Sequence, residues 1–332
     1  MTGATIRLVL AALTMPGAAG SGAPDTIASA GDLIEALSGG RLTVDVDTEG
    51  QSCGAPDACL DALVAGEIDI YLASTPEAAR LVPEFHVLDV PYLLESDAVV
   101  ELVFTGVFFE RMRDALLGEP GLRLLGLSGG GGWRGIATRA GPVRMPDDLG
   151  GVTLETADSP VLASWARAAG ATPAPRSWSD RAVLAAEGRV DARAGSVIDL
   201  TSGGAGDGAF RYLTRDDHGY PAGLWLMREE AYQALPVDLR QAMNAAVGEL
   251  ARLVRAEERR RTAAAVAAFE AAGGVVHVLS PAERSAFVMA AGRVSTGYME
   301  QHGHEWMVWF EGAIAAAERQ IALTGGSEEA RP

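Results

Sequence analysis

The sequence predicts an α/β protein of two lobes joined by one long helix, and three features carry that expectation. Strand-like and helical runs alternate through the first third of the chain and again after residue 150, the pattern of parallel sheets with helices on their faces. The chain has 332 residues, more than one hydrophobic core usually fills. From Leu235 to Gly274 the run "LPVDLRQAMNAAVGELARLVRAEERRRTAAAVAAFEAAGG" is helical throughout, with Pro236 in its first turn and Gly273 past its end. At the α-helical rise it would exceed about 50 Å, longer than either lobe alone.

Taken in order, "TIRLVLAAL" is read as a buried first strand. With one Arg, an apolar run and small residues behind it, the stretch also has the make-up of a short signal peptide, but its apolar core of about eight residues is at the low end for a leader. A helix "DTIASAGDLIEALSGG" stopping at Gly39, a strand "RLTVDVD", a helix "DACLDALVAGE" and a strand "IDIYLAS" complete a βαβαβ series. "SDAVVELVFTGVFFERMRDALLG" reads as one long helical stretch, and "GLRLLGLS" as the strand behind it.

After Gly135, "IATRAGPVRMPDDLGGVTLET" carries Pro142, Pro146 and a Gly-Gly turn, which gives two short strands joined by a one-turn helix at Met145 to Leu149. A second series follows: helix "SPVLASWARAAGA", strand "TPAPRSW", helix "SDRAVLAAEGR", strand "VDARAGS". A last helix covers Glu305 to about Leu323, and "TGGSEEARP" is a frayed tail. No apolar run reaches the ~18 residues of a membrane span.

A formal net charge of −17 argues against nucleic-acid and anionic-membrane partners. All 27 basic residues are Arg, which removes Schiff-base chemistry and the lysine of a phosphate-binding P-loop. Cys53 and Cys59 flank a short turn-rich loop. An exported chain would join them in a disulfide and a cytosolic one would leave two thiols; the disulfide is the expectation here.

"GLSGGGGWRGIATR" matches competing motifs. Read from Gly126 it is G-x-S-x-G, with Ser128 as an esterase nucleophile, and read from Gly130 it is G-x-G-x-x-G. Both need a helix next, and glycines followed by a strand come instead. The pair His302 and His304 sits at i, i+2, which points the two rings to different sides of a helix, so no metal site and no cofactor are expected. Arg259 to Arg261 behind Glu257 and Glu258 read as a salt-bridged surface. Trp306, Trp309 and Phe310 read as core or as a face packed on a partner lobe.

Four blocks, "VPEFHVLDVPYLLES", "RGIATRAGPVRMPDDLGGVTLET", "AAGATPAPRSWSDRAVLAAEGRVDA" and "YLTRDDHGYPAGLWLMREEAYQALPVDLRQAM", stand in an order that resembles the DctP-type solute receptors of tripartite ATP-independent periplasmic (TRAP) transporters, and "GGRLTVDV" and "ALVAGEIDIYLAS" fit the same pattern. The resemblance runs from about Ile6 to Met299. It implies a two-lobed, periplasmic-binding-protein (Venus-flytrap) fold: residues 1–132 with 221–258 in one lobe, 133–220 with 259–312 in the other, and 313–332 as helix end and tail. It also implies a non-enzymatic receptor outside the cytoplasm that closes on a small solute and hands it to membrane permease subunits, without itself inserting in the membrane. A ligand-sensing module on the same fold is the alternative, and a hydrolase using Ser128 a remoter one.

On this pattern "GGGGWRG" is the first crossing between lobes and Arg134 stands near the ligand. The chain departs from the pattern at Glu155, where the family's carboxylate-binding arginine stands, at Gly195 in place of an asparagine, and at Ala192 in place of a glycine. Arg193 either reaches into the cleft as a substitute or pairs with Glu155. Tyr92, Trp133, Trp178 and Tyr220 are candidate aromatic walls, and Ser74 a candidate hydroxyl. With Glu155 in place, the expected ligand is a zwitterion or a polar solute with a donor group rather than a plain keto acid or dicarboxylate.

Overall fold

The computed structural model describes residues 5–13, 25–118, 120–176, 190–201 and 210–324, and its strands form two sheets. The first contains β1 (Ile6–Ala11), β2 (Leu42–Asp47), β3 (Ile70–Ser74), β4 (Leu122–Gly129) and β10 (Ala222–Arg228), in the order β2-β1-β3-β10-β4. The second contains β5 (Arg134–Thr138), β6 (Thr153–Ala157), β7 (Thr172–Arg176), β8 (Ala192–Ser196), β9 (Tyr212–Arg215) and β11 (Val275–Val278), in the order β11-β9-β5-β8-β6-β7. The expected helix over 179–189 lies outside the described residues.

Ile6–Ala11 is a core strand. It runs parallel to β2 from Ile6↔Leu42 to Ala11↔Asp47 and meets β3 at Leu10↔Ile70, with Leu8, Leu10 and Ala11 buried. The helices α2 (Ala30–Leu37) and α3 (Pro56–Ala65) are the crossovers of this parallel set, α3 starting on Pro56 and stopping at Gly66 in the left-handed region. Cys53 and Cys59 are joined in a disulfide at the start of α3.

The stretch expected as one helix from Ser96 to Gly118 is two, α5 (Asp97–Thr105) and α6 (Val107–Leu117). Gly106 adopts an extended backbone between them, and a Cβ there would sit 2.7 Å from the Leu102 carbonyl oxygen. Periodicity ran through the break because both halves are apolar.

The chain leaves the first lobe after β4, crosses through residues 130–133 and enters β5; it returns from β9 to β10 through residues 216–221. The long helix, α10 (Val237–Ala271), has 35 residues and so a length of about 52 Å. Leu239, Met243, Val247 and Val254 in its first half pack with Ile70, Leu125 and Trp225 of the first sheet, and Phe269 near its end packs with Leu213 and Ala137 of the second. The helix therefore spans both lobes.

In the second lobe α11 (Pro281–His302) packs on α7 (Pro160–Ala168). The last helix, α12 (Glu305–Thr324), runs unbroken through the expected boundary at 312/313 and packs on α5 and α6 of the first lobe. Trp306 lies edge-on to Phe85 at 5.3 Å, and Phe310 sits 4.8 Å from Phe108. No helix among the described residues is long and apolar enough to cross a membrane.

Candidate ligand cleft between the lobes

Parallel strands present their carboxyl ends on one edge, where loops leave room for a ligand. Here the parallel sets of the two sheets turn those edges toward a common cleft of about 320 Å³. Ser74 and Thr75 at the end of β3 line it from the first lobe. Ala157 at the end of β6, Arg176 at the end of β7, and Gly195 and Ser196 at the end of β8 line it from the second. The glycine crossing and Glu258 of α10 also contribute to the lining.

The glycine-rich motif resolves on its backbone. Ser128 lies within β4, not at a strand-to-helix turn, and its hydroxyl donates to the Gly129 carbonyl and accepts from the Trp225 indole. The run from Gly130 feeds β5 rather than a helix. Gly131 has φ +111, and a Cβ on it would lie 2.7 Å from the Ser196 hydroxyl, so this position needs glycine on both counts. Glu258 accepts from the Gly131 N–H at 2.6 Å and from the Tyr220 hydroxyl at 2.9 Å, tying both crossing segments to the long helix. Burial pushes its pKa up to about 7, against the Gly131 and Tyr220 hydrogen bonds and the Arg255 charge.

Arg134, the first residue of β5, lines the cleft, and its N–H donates to the Gly219 carbonyl of the other crossing at 2.9 Å. Its guanidinium is buried 3.6 Å from Asp89. Burial lowers the pKa of Arg134 while Asp89 and Asp199 raise it, and the group keeps its charge. Burial also opposes ionisation of Asp89, but the His86 hydrogen bond and the Arg134 charge outweigh it and hold that pKa below its ordinary value.

The other expected site residues divide by position. Ser74 and Gly195 line the cleft with Arg134. Glu155 and Arg193 do not: they are cross-strand partners on β6 and β8, buried and 3.3 Å apart. Of the alternatives for Arg193, pairing with Glu155 is the one present. The Trp133 indole donates to Asp97 at 2.9 Å, and the ring meets Tyr220 edge-on at 5.2 Å; both rings line a separate cavity of about 220 Å³. Tyr92 has φ +64 and a hydroxyl that donates to Asp216 at 2.8 Å, which ties it to the second crossing and not to the cleft. Trp178 lies outside the described residues.

Sequence reasoning passed over Thr75 and Arg176. Thr75 is buried at the cleft with a hydroxyl that has no hydrogen-bond partner among the described residues, an opening for a ligand group. Its signal was its place directly after Ser74 in "IDIYLAST". Arg176 closes "TPAPR", where a strand end before a turn was the only cue. His302 sits against the Tyr298 ring at 4.9 Å, and no group of metal-ligating side chains occurs among the described residues.

Two α/β lobes, joined by crossing strands and a shared helix and enclosing a polar cleft at their strand ends, define the clamshell solute-binding proteins. The chain belongs to the DctP family, bacterial extracellular solute-binding proteins of family 7, whose pattern matches residues 25–301. It is 26% identical over 270 residues to a solute-binding protein of Verminephrobacter eiseniae, covering 81% of this chain and 79% of that one. It is 28% identical over 219 residues to the C4-dicarboxylate-binding protein DctB of Bacillus subtilis, covering 66% and 61%. Among solved structures, the sugar acid binding protein of Advenella mimigardefordensis in complex with galactonate matches with a TM-score of 0.83 at 20% identity, covering 95% of this chain and 99% of that one.

Proposed function

We propose that the chain is the periplasmic receptor of a tripartite secondary transporter, and that its ligand is a small organic acid carrying a hydrogen-bond donor, either hydroxyl or ammonium. The observation that supports this most is the meeting in one cleft of cations, an acid and hydroxyls: Arg134 and Arg176, Asp199, Ser74 and Thr75. A carboxylate facing the arginines and a donor facing Asp199 use both signs of charge. Glu155 was the sequence's reason for expecting a donor group; its charge is taken up by Arg193, and Asp199 is one of the acids that line the cleft instead. The galactonate of the Advenella protein is a ligand of this kind.

Closure of the lobes about the crossing segments would enclose the solute, and the closed form is the one a permease would take up. Thermal-shift screening of the full chain with hydroxy acids, amino acids, plain keto acids and dicarboxylates, followed by calorimetry on the hits, tests the reading. Hydroxy or amino acids should raise the melting temperature. A response confined to plain keto acids and dicarboxylates refutes the donor requirement, and no response to any acid refutes the ligand class.

A further inference from the structure

A cation facing a cleft needs either water or a counter-charge, and a cleft that closes removes the water. The arginines that line the cleft differ in what neutralises them. Arg80 is 3.1 Å from Asp61 and 3.7 Å from Asp57. Arg134 faces Asp89. Arg261, on the long helix, forms no close ion pair among the described residues, but its charge acts on the Glu258 carboxyl one turn away. Arg176 has no carboxylate partner among the described residues: its guanidinium makes a long 3.5 Å hydrogen bond to the neighbouring Pro175 carbonyl, and its buried Nε has no acceptor among those residues.

The position of Arg176 is set by the sheet. It ends β7, the edge strand, and its register partner on β6 is Ala157, a residue without a polar side chain. Asp158, the next residue along, is exposed and forms no ion pair with it. Glu155 precedes that register by one alternation of the strand and is already paired with Arg193. No acid of β6 or β8 is therefore in place to neutralise Arg176, and it is held at the carboxyl end of a parallel strand, where ligands bind.

We propose that Arg176 is the anchor for the ligand's carboxylate, with Arg134 as the second cation of the site, and that Arg176 makes this receptor select an acid over its neutral analogue. The inference rests on the reading of the chain as a receptor for small organic acids. The planar guanidinium offers parallel N–H donors to a carboxylate in a way a lysine ammonium does not.

The test is calorimetry on the full chain with glycerate, gluconate and serine and with the primary amide of each, for the wild type, Arg176→Gln and Arg176→Lys. The wild type should bind its preferred acid at least about 30-fold more tightly than the amide. Arg176→Gln should lose about 30-fold or more for the acid while its affinity for the amide stays within about threefold, and Arg176→Lys should fall between. Equal losses for acid and amide in Arg176→Gln would mark a packing role and overturn the inference, as would an unchanged affinity for the acid or a wild type indifferent to the amide. A wild type that binds no acid of the wider panel overturns the receptor reading and the anchor together.

Discussion

Glu258 gives the sharpest quantitative test of the fold. Its carboxyl is buried where the two crossing segments meet the long helix, and its pKa stands at about 7 against an ordinary 4.5. The folded state thus binds this proton more tightly than the unfolded chain does. The stability it contributes is fully present below the unfolded value and is lost as the pH rises through the folded one. A shift of this size corresponds to about 3 kcal/mol, most of it lost between pH 5 and pH 8. Glu258→Gln imitates the protonated form: the amide oxygen can accept from the Gly131 N–H and its NH₂ can donate to the Tyr220 oxygen. The two proteins should be similarly stable at pH 5, and the variant should be the more stable by about 2 to 3 kcal/mol at pH 8. Urea unfolding followed by tryptophan fluorescence at pH 5, 6, 7 and 8 measures this, and groups common to both proteins cancel in the difference. A difference that stays flat with pH to within about 0.5 kcal/mol, the ordinary scatter between distant-site variants, refutes the argument.

The buried pair predicts that Glu155→Ala, which strands the Arg193 charge, lowers the unfolding free energy by about 3 kcal/mol or more, while Glu155→Ala/Arg193→Ala recovers part of the loss; urea midpoints decide it. The disulfide predicts no titratable thiol in unreduced, denatured protein and a loss of about 2 kcal/mol for Cys53→Ser/Cys59→Ser, given the short loop it closes; two reactive thiols would contradict it.

Local periodicity was enough for the parallel strands β1 to β3, for the two strands β5 and β6 on either side of the turn at Met145 to Leu149, and for the long helix, because in each the apolar repeat and the terminating Gly or Pro lie within one segment. The glycine crossing was legible for the same reason: a strand, not a helix, follows it. The sequence did not show that β10, from far along the chain, inserts between β3 and β4, or that α12 returns to the first lobe. Those are long-range pairings, and no short window encodes them. The site divides in the same way. Ser74 was legible as a strand-end residue, Arg134 and Gly195 came from the family pattern, and the same pattern singled out Glu155 and Arg193 but left open whether they pair. Tyr92, Trp133 and Tyr220 look like ligand-facing aromatics in sequence, yet a ring's polar tip goes to whichever acid is near, here Asp216, Asp97 and Glu258. Which cleft arginine has no acid beside it among the described residues is a property of the whole arrangement, since the counter-charges come from different strands and helices, and only the packed lobes single out Arg176.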